Sequence, residues 1–78
     1  MRVELFFKEW QKYTVVHHAV IENQTSVPAK GSHVEYGNPN DPADWDKGTV
    51  EELQWDYHTN PPTVKVIIRS GYFETQKL

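Results

Sequence analysis

The sequence predicts a small all-β domain, built as a single antiparallel sheet of four to five strands that curls into a small barrel. The clearest signal spans residues 48–69, where apolar and polar side chains alternate with period two on either side of Asn60-Pro61-Pro62. Such alternation is typical of half-buried strands, and the Asn-Pro-Pro segment is typical of a turn. Because no segment has the length of a crossover helix, we expect antiparallel order.

The inward side chains of this strand pair are expected to form the folding core. They are Leu53, Trp55, Tyr57, Val64, Val66 and Ile68. The outward charges, such as Glu52 and Lys65, are expected to pair across the strands, each pair contributing a few tenths to about 1 kcal/mol. Ile67 is apolar although it lies on the outward side. This hints that the outer surface of the strand pair contacts another group.

The remaining segments complete the predicted sheet. Residues 1–8 alternate as a strand, although the spacing of Phe6, Trp10 and Tyr13 also permits a helix. Residues 13–22 are apolar on both faces and are therefore expected to form a central strand. After a loop at 23–32, residues 32–36 form a short strand, and Tyr72 with Phe73 forms a possible last one.

Two prolines, two glycines and three aspartates dominate residues 37–48, which we therefore expect to be an exposed connection. Residues before, within and just after this segment resemble the spacing of glycine, valine and tryptophan in SH3-like barrels. They are Pro28, Gly31, Val34 and Tyr36, followed by Trp45, Gly48 and Val50. The resemblance covers residues 28–50 and implies a fold only, because the groove with which SH3 domains bind proline-rich peptides has no counterpart in this sequence.

Length and composition limit the classes of protein to which this chain is expected to belong. The chain has 78 residues, which we treat as one domain over 1–78, and it contains ten aromatic residues and no cysteine. The formal charge of −3 disfavours a general nucleic-acid binder. Charged residues interrupt the start of the chain, so we expect no signal peptide and no membrane partner. A cytoplasmic protein of bacterial or phage type is the expectation.

Neither a metal nor another cofactor is predicted. His17 and His18 point to opposite faces of one strand, so the pair cannot grip a single ion without a bulge. Asp41, Asp44 and Asp46 offer oxygen ligands, but the spacing of the following residues does not fit a calcium loop. The glycines are isolated and no catalytic spacing is present, so we expect no catalytic residues and no enzyme.

Trp45 stands in a hydrophilic segment between Asp44 and Asp46, and two interpretations are open. The indole either folds back as a lid over the end of the core or stands exposed as a binding anchor. The first interpretation has the small size of the domain in its favour. As an anchor among carboxylates, Trp45 would meet a basic surface of a partner.

A second candidate binding surface comes from the two ends of the chain. Its residues are Phe6, Trp10, Tyr13, Tyr72 and Phe73. Together they could form an exposed apolar patch, or they could close a second layer of the core. With Arg2, Lys8, Lys12 and Lys77 nearby, the patch could also stack single-stranded bases.

The function that the sequence favours is a non-enzymatic protein-interaction module. It would bind another protein, including a second copy of itself, through an aromatic patch or an edge strand. The alternative is a small nucleic-acid-binding barrel that uses the terminal aromatic residues and lysines.

Overall fold

A computed structural model describes residues 1–9 and 14–70 of the chain. These residues form one five-stranded sheet that curls into a half-barrel, which confirms the all-β class. The strands are β1 (Arg2–Lys8), β2 (Val15–Ile21), β3 (His33–Asn38), β4 (Asp41–Asp56) and β5 (Thr63–Ser70). Their order across the sheet is β2-β1-β5-β4-β3. No helix long and apolar enough to cross a bilayer occurs in these ranges.

The sheet is mixed, because β1 and β5 run parallel while every other neighbouring pair is antiparallel. The expectation of a wholly antiparallel sheet was therefore wrong at its centre. Short connections constrain only strands that follow one another in sequence. β1 and β5 are joined through all the other strands, so no turn sets their relative direction.

The core lies on the concave face of the sheet, where the alternating apolar residues of β1 meet those of β5. Phe7 on β1 and Ile68 on β5 lie side by side in register, and both are fully buried. The other members are Val3, Leu5, Ala19, Val50, Val64 and Val66. This confirms the predicted strand at residues 1–8 and the predicted inward side of β5. Burying each large apolar side chain contributes about 1.5–3 kcal/mol.

The predicted core positions on β4 are only partly confirmed. Leu53 and Trp55 have the predicted inward register, opposite Val66 and Val64, and Leu53 packs against the core. Trp55 is 48% exposed, however, and Tyr57, which follows the end of β4, is 73% exposed. Trp55 lies near the end of the sheet, where little remains to cover it, and its ring stacks on Tyr57 instead.

β2 lies at the edge of the sheet, so the prediction of a central strand was wrong. Its inner face contributes Ala19 to the core, but Val15, Val16 and Val20 are 40% exposed or more. Apolar residues on both faces are typical of a central strand, yet they do not determine how many neighbours a strand has. β2 has one neighbour, β1, among the described residues.

Residues 37–48 belong to a hairpin and are not the exposed connection that was predicted. Gly37 pairs with Trp45 and Asn38 with Asp41, so β4 begins directly after a two-residue turn. β5 pairs with β4 only from Gly48 onward. Asp41 and residues 45–47 therefore have β3 as their one described neighbour, and residues 42–44 bulge out of the ladder between them, a position that tolerates Pro42.

The turn between β4 and β5 lies where the sequence predicts it, and its Asn60-Pro61 peptide bond is cis. On the convex face above this strand pair, Ile67 is only 9% exposed. It lies between Phe6 on β1 and Glu52 on β4. Neighbouring strands thus cover Ile67, and its apolar character needs no partner to explain it.

Candidate functional site

Three side chains from the edge strand β2 and the first half of β4 meet across the concave side of the half-barrel. Nε2 of His17 lies 2.5 Å from Oδ1 of Asp44, and Nδ1 of His17 lies 3.9 Å from Oδ2 of Asp46. We call these three residues the His17 clamp. The clamp connects strands that lie at opposite sides of the curled sheet.

Strand alternation brings the clamp together. On β2, His17 shares the inward face with Ala19 and pairs with the buried Phe7 of β1. On β4, Asp46 pairs with Tyr36, which packs against the core. The imidazole lies 5.4 Å from the Phe7 ring and 5.6 Å from the Tyr36 ring, centroid to centroid. Aromatic contacts therefore fix its position from two sides.

Both carboxylates of the clamp have further hydrogen bonds that orient them. Asp44 accepts one from the side-chain amide of Asn38 at 3.1 Å. Asp46 accepts one from the backbone N–H of Lys47 at 2.8 Å and one from the hydroxyl of Ser70 at 3.1 Å. These contacts fix the direction of both carboxylates toward the imidazole.

The clamp is not arranged to hold a metal ion. Asp44 faces one ring nitrogen of His17 and Asp46 faces the other, so one ion could not contact the imidazole and both carboxylates. In residues 1–9 and 14–70, no group of three or more histidines, aspartates and glutamates has a geometry suited to a metal. The clamp is instead a bridge of polar side chains between two strands.

An open depression lies beside the clamp and carries the most exposed tryptophan of the described chain. It is lined by Val16, His17, Ala43, Asp44, Trp45 and Asp46. The Trp45 side chain is 60% exposed, so it does not act as a lid over the core. Opposite Trp45 on β3 is Gly37, and a methyl group added there would meet nothing within 4 Å in the described structure. Open space therefore adjoins the indole.

The three predicted binding residues of this segment thus border one depression, but they differ in role. Asp44 and Asp46 are engaged with His17, and the side chain of Asp44 is 32% exposed while that of Asp46 is 18% exposed. Asp44 therefore has more surface left for a ligand. Strand alternation sends Trp45 to the other side of β4, where its indole is accessible.

Of the predicted patch at the chain ends, only Phe6 lies within the described residues. It is half-buried on the convex face, and its ring stacks on His18 at 4.4 Å with an interplanar angle of 10°. The other four members, Trp10, Tyr13, Tyr72 and Phe73, lie outside the described residues. Among the predicted base-stacking cations, Arg2 pairs with Glu22 at 3.5 Å.

Sequence reasoning missed the role of His17 in this site. The alternation of β2 already placed His17 on the same side as Ala19 and Ile21, so its inward direction was readable. Its partners were not readable, because the composition of the acidic segment predicts a loop and not a strand. Recognition of the second half of the hairpin, where Trp45 faces Gly37, would have given Asp44 and Asp46 a defined face.

Comparison of the chain with protein-family models, with curated proteins and with solved structures finds no match. The geometry of the half-barrel and of the Trp45 depression is therefore the basis on which a function is inferred.

Proposed function

We propose that the chain is a non-enzymatic protein-interaction module that binds a basic segment of a partner protein at the Trp45 depression. The observation that carries this proposal is the 60% exposure of Trp45 beside the carboxylate of Asp44. Tryptophan is among the residues that most often dominate binding energy at protein interfaces. A domain of this size gains stability by burying an indole, so its exposure calls for a functional explanation.

The chemistry of the depression favours a lysine or arginine side chain as the ligand group. The face of an indole attracts a cation, which contributes about 0.5–1 kcal/mol at an exposed site and more when water is excluded. The partly exposed carboxylate of Asp44, which borders the same depression, adds a charged acceptor for a second basic side chain of the segment. The apolar side chains of Val16 and Ala43 can cover the aliphatic stem of the ligand.

The geometry of the clamp supports a binding role over a hydrolytic one. A general base needs a ring nitrogen that faces a nucleophile. In the clamp, each nitrogen of His17 faces a carboxylate, and the hydroxyl of Ser70 donates to Asp46. The serine, the aspartate and the histidine are therefore in the wrong order for nucleophilic catalysis.

The proposal is tested with matched tryptophan variants used as baits. Trp45→Ala removes the proposed anchor, whereas Trp55→Ala removes an indole of similar exposure near the end of β4. In affinity purification from the native host, the wild type and Trp55→Ala are expected to retain the same near-stoichiometric partner, which Trp45→Ala loses. Equal retention by all three proteins would contradict the proposal.

A second measurement tests the ligand class directly. In an NMR titration, a short arginine-rich peptide is expected to shift the indole N–H signal of Trp45 and not that of Trp55. An acidic peptide of the same length serves as the control and is expected to shift neither. Equal shifts of both indoles by the basic peptide would indicate unspecific attraction and would count against the site.

The proposed setting is the cytoplasm, in a bacterial cell or in one that a phage has entered. The proposed relationship of the half-barrel is to SH3-like small barrels, and the rhythm of residues 28–50 supports it. The chain has β3 and β4 where that rhythm lies, joined as a hairpin.

A further inference from the structure

We infer that two copies of this chain associate by pairing their β2 strands edge to edge, around a two-fold axis at His18. The inference does not rest on partner binding at Trp45. It rests on the outer edge of β2, which no described strand pairs with. The unpaired backbone groups of such an edge are a template for another strand.

The composition of β2 distinguishes it from a protected edge. Natural edge strands are commonly blocked by lysine, other charged residues or proline. Between Thr14 and Glu22 the chain contains none of these, and its seven residues include four with β-branched side chains. Val15, Val16 and Val20 are exposed large apolar residues of this strand. The edge therefore combines open backbone groups with apolar surface.

A second copy is the occupant that this strand fits, because β2 is electrically compatible with itself. The strand carries no aspartate, glutamate, lysine or arginine. When two copies pair in antiparallel order, none of these charged side chains therefore faces a like charge across the interface. A two-fold axis between the strands joins the two sheets with the same face of each on the same side. Each residue of one β2 then meets the β2 of the other copy, so the interface is self-complementary. The interface requires no segment that this chain does not itself provide.

The length of β2 selects the register. His18 is the middle residue of Val15–Ile21, so an axis at His18 lets each strand run along the full length of its copy. Residues 17–19 then pair regularly, and Val20 lies opposite the irregular end of the partner strand, which carries Val15 and Val16. Exposed apolar side chains thereby cover one another, which removes them from water.

The irregular part of β2 does not disturb the centre of this interface. The step from Phe7 to Lys8 skips Val16, which is the one residue of β2 without a partner on β1. Residues 17–21 pair regularly with β1 and are therefore extended along the outer edge as well. Five regular residues include the proposed axis at His18.

Cross-linking tests the register, because the chain contains no cysteine of its own. In His18→Cys the two introduced thiols of a dimer would lie directly opposite each other, about 5 Å apart at Cβ. A short bis-maleimide reagent is expected to convert this variant to covalent dimer. Tyr57→Cys places a thiol on a more exposed residue, beyond the end of β4 and away from β2, and is expected to stay monomeric on denaturing gels.

Sedimentation equilibrium of purified protein tests the association itself. The wild type is expected to dimerise, and Val20→Lys is expected to raise the dimer Kd at least about tenfold, which corresponds to about 1.4 kcal/mol. Tyr57→Lys adds the same charge away from β2 and is expected to dimerise like the wild type. Circular dichroism establishes that each variant is folded.

A wild type that remains monomeric at millimolar concentration would overturn the inference. So would a dimer that Val20→Lys and Tyr57→Lys weaken equally, or cross-linking of His18→Cys no faster than that of Tyr57→Cys. Because these assays use the purified chain alone, their failure leaves the bait experiment on Trp45 unaffected.

Discussion

The imidazole of His17 on β2 lies 2.5 Å from the carboxylate of Asp44 on β4, although the two strands are separated in the sheet by β1 and β5. This contact closes the concave side of the half-barrel with side chains, where none of the described strands closes it with a backbone ladder. Its partners are partly shielded, since 20% of the His17 side chain and 32% of the Asp44 side chain are exposed. Such a contact is expected to contribute more than a pair on an open surface.

Removing the imidazole is therefore expected to destabilise the fold. We expect His17→Ala to lower the free energy of unfolding by about 1–3 kcal/mol, because two oriented carboxylates lose their partner. Urea unfolding followed by tryptophan fluorescence measures this. His58→Ala is the matched control, since the His58 side chain is 99% exposed. Equal losses in the two variants would contradict a structural role for the clamp.

Gly48 is expected to tolerate no side chain. A methyl group at this position would lie 1.8 Å from the carbonyl oxygen of Arg69, and backbone atoms cannot move aside as a flexible side chain would. We expect Gly48→Ala to cost about 3 kcal/mol or more in unfolding free energy. Gly37→Ala is the control, because the same addition there meets nothing within 4 Å in the described structure. Thermal unfolding of both variants measures the difference in stability, and equal losses would contradict the prediction.

The exposed end of β4 is expected to contribute little to stability. Trp55 and Val64 are direct neighbours across β4 and β5, but Trp55 is 48% exposed and Val64 is fully buried. We expect Val64→Ala to destabilise the fold more than Trp55→Ala, although Trp55→Ala deletes the larger side chain. Chemical denaturation of the two variants measures the difference. A larger loss in Trp55→Ala would contradict this prediction and would support the core position of Trp55 that the sequence predicts.

The carboxyl group of Asp56 is expected to titrate at low pH. The backbone N–H of His58 donates to it at 2.9 Å, and the His58 ring lies 3.0 Å away. These hydrogen bonds hold the pKa of Asp56 below its ordinary value of 3.8. The ionised form therefore stabilises the fold above pH 3.8, and this contribution disappears as the pH falls through the lowered pKa.

NMR titration of the Asp56 carboxyl carbon measures this pKa. In His58→Ala the ring contact is lost while the backbone donor remains, so the pKa is expected to rise only part of the way toward 3.8. A value in the wild type at or above 3.8 would contradict the hydrogen-bonded turn.

The strands were predictable where side-chain alternation and turn residues agree. β1 and β5 follow the expected pattern, with Val3, Leu5 and Phe7 on one inner row and Val64, Val66 and Ile68 on the next. Alternation reports which face is apolar. It does not report which strand lies beside which, so neither the parallel pairing of β1 with β5 nor the edge position of β2 could be inferred from it.

The candidate site was only partly predictable for a related reason. The contrast of Trp45 with its acidic neighbours left two interpretations open, and the one that the small size of the domain favoured, a lid over the core, was wrong because the indole is exposed. The composition of residues 37–48 concealed a strand, because proline and glycine usually interrupt a ladder. They are accommodated here since Pro39 lies in the turn and Pro42 lies in the irregular stretch 42–44, which pairs with no residue of β3 or β5. The contact of His17 with Asp44 depends on the curl of the sheet, which no local pattern encodes.

The unequal pairing of β4 divides one continuous strand into two mechanically different parts. From Gly48 onward β4 is paired with β5. Before Gly48 it extends beyond β5 and, among the described residues, is held only on one side, by β3 and by the side chains of the His17 clamp. Hydrogen bonds in such a lightly supported segment open at a lower free energy than those of the central strands. Amide protons of residues 41–47 should therefore exchange with solvent sooner than those of β5, and the arm that carries Trp45 can move while the core stays folded.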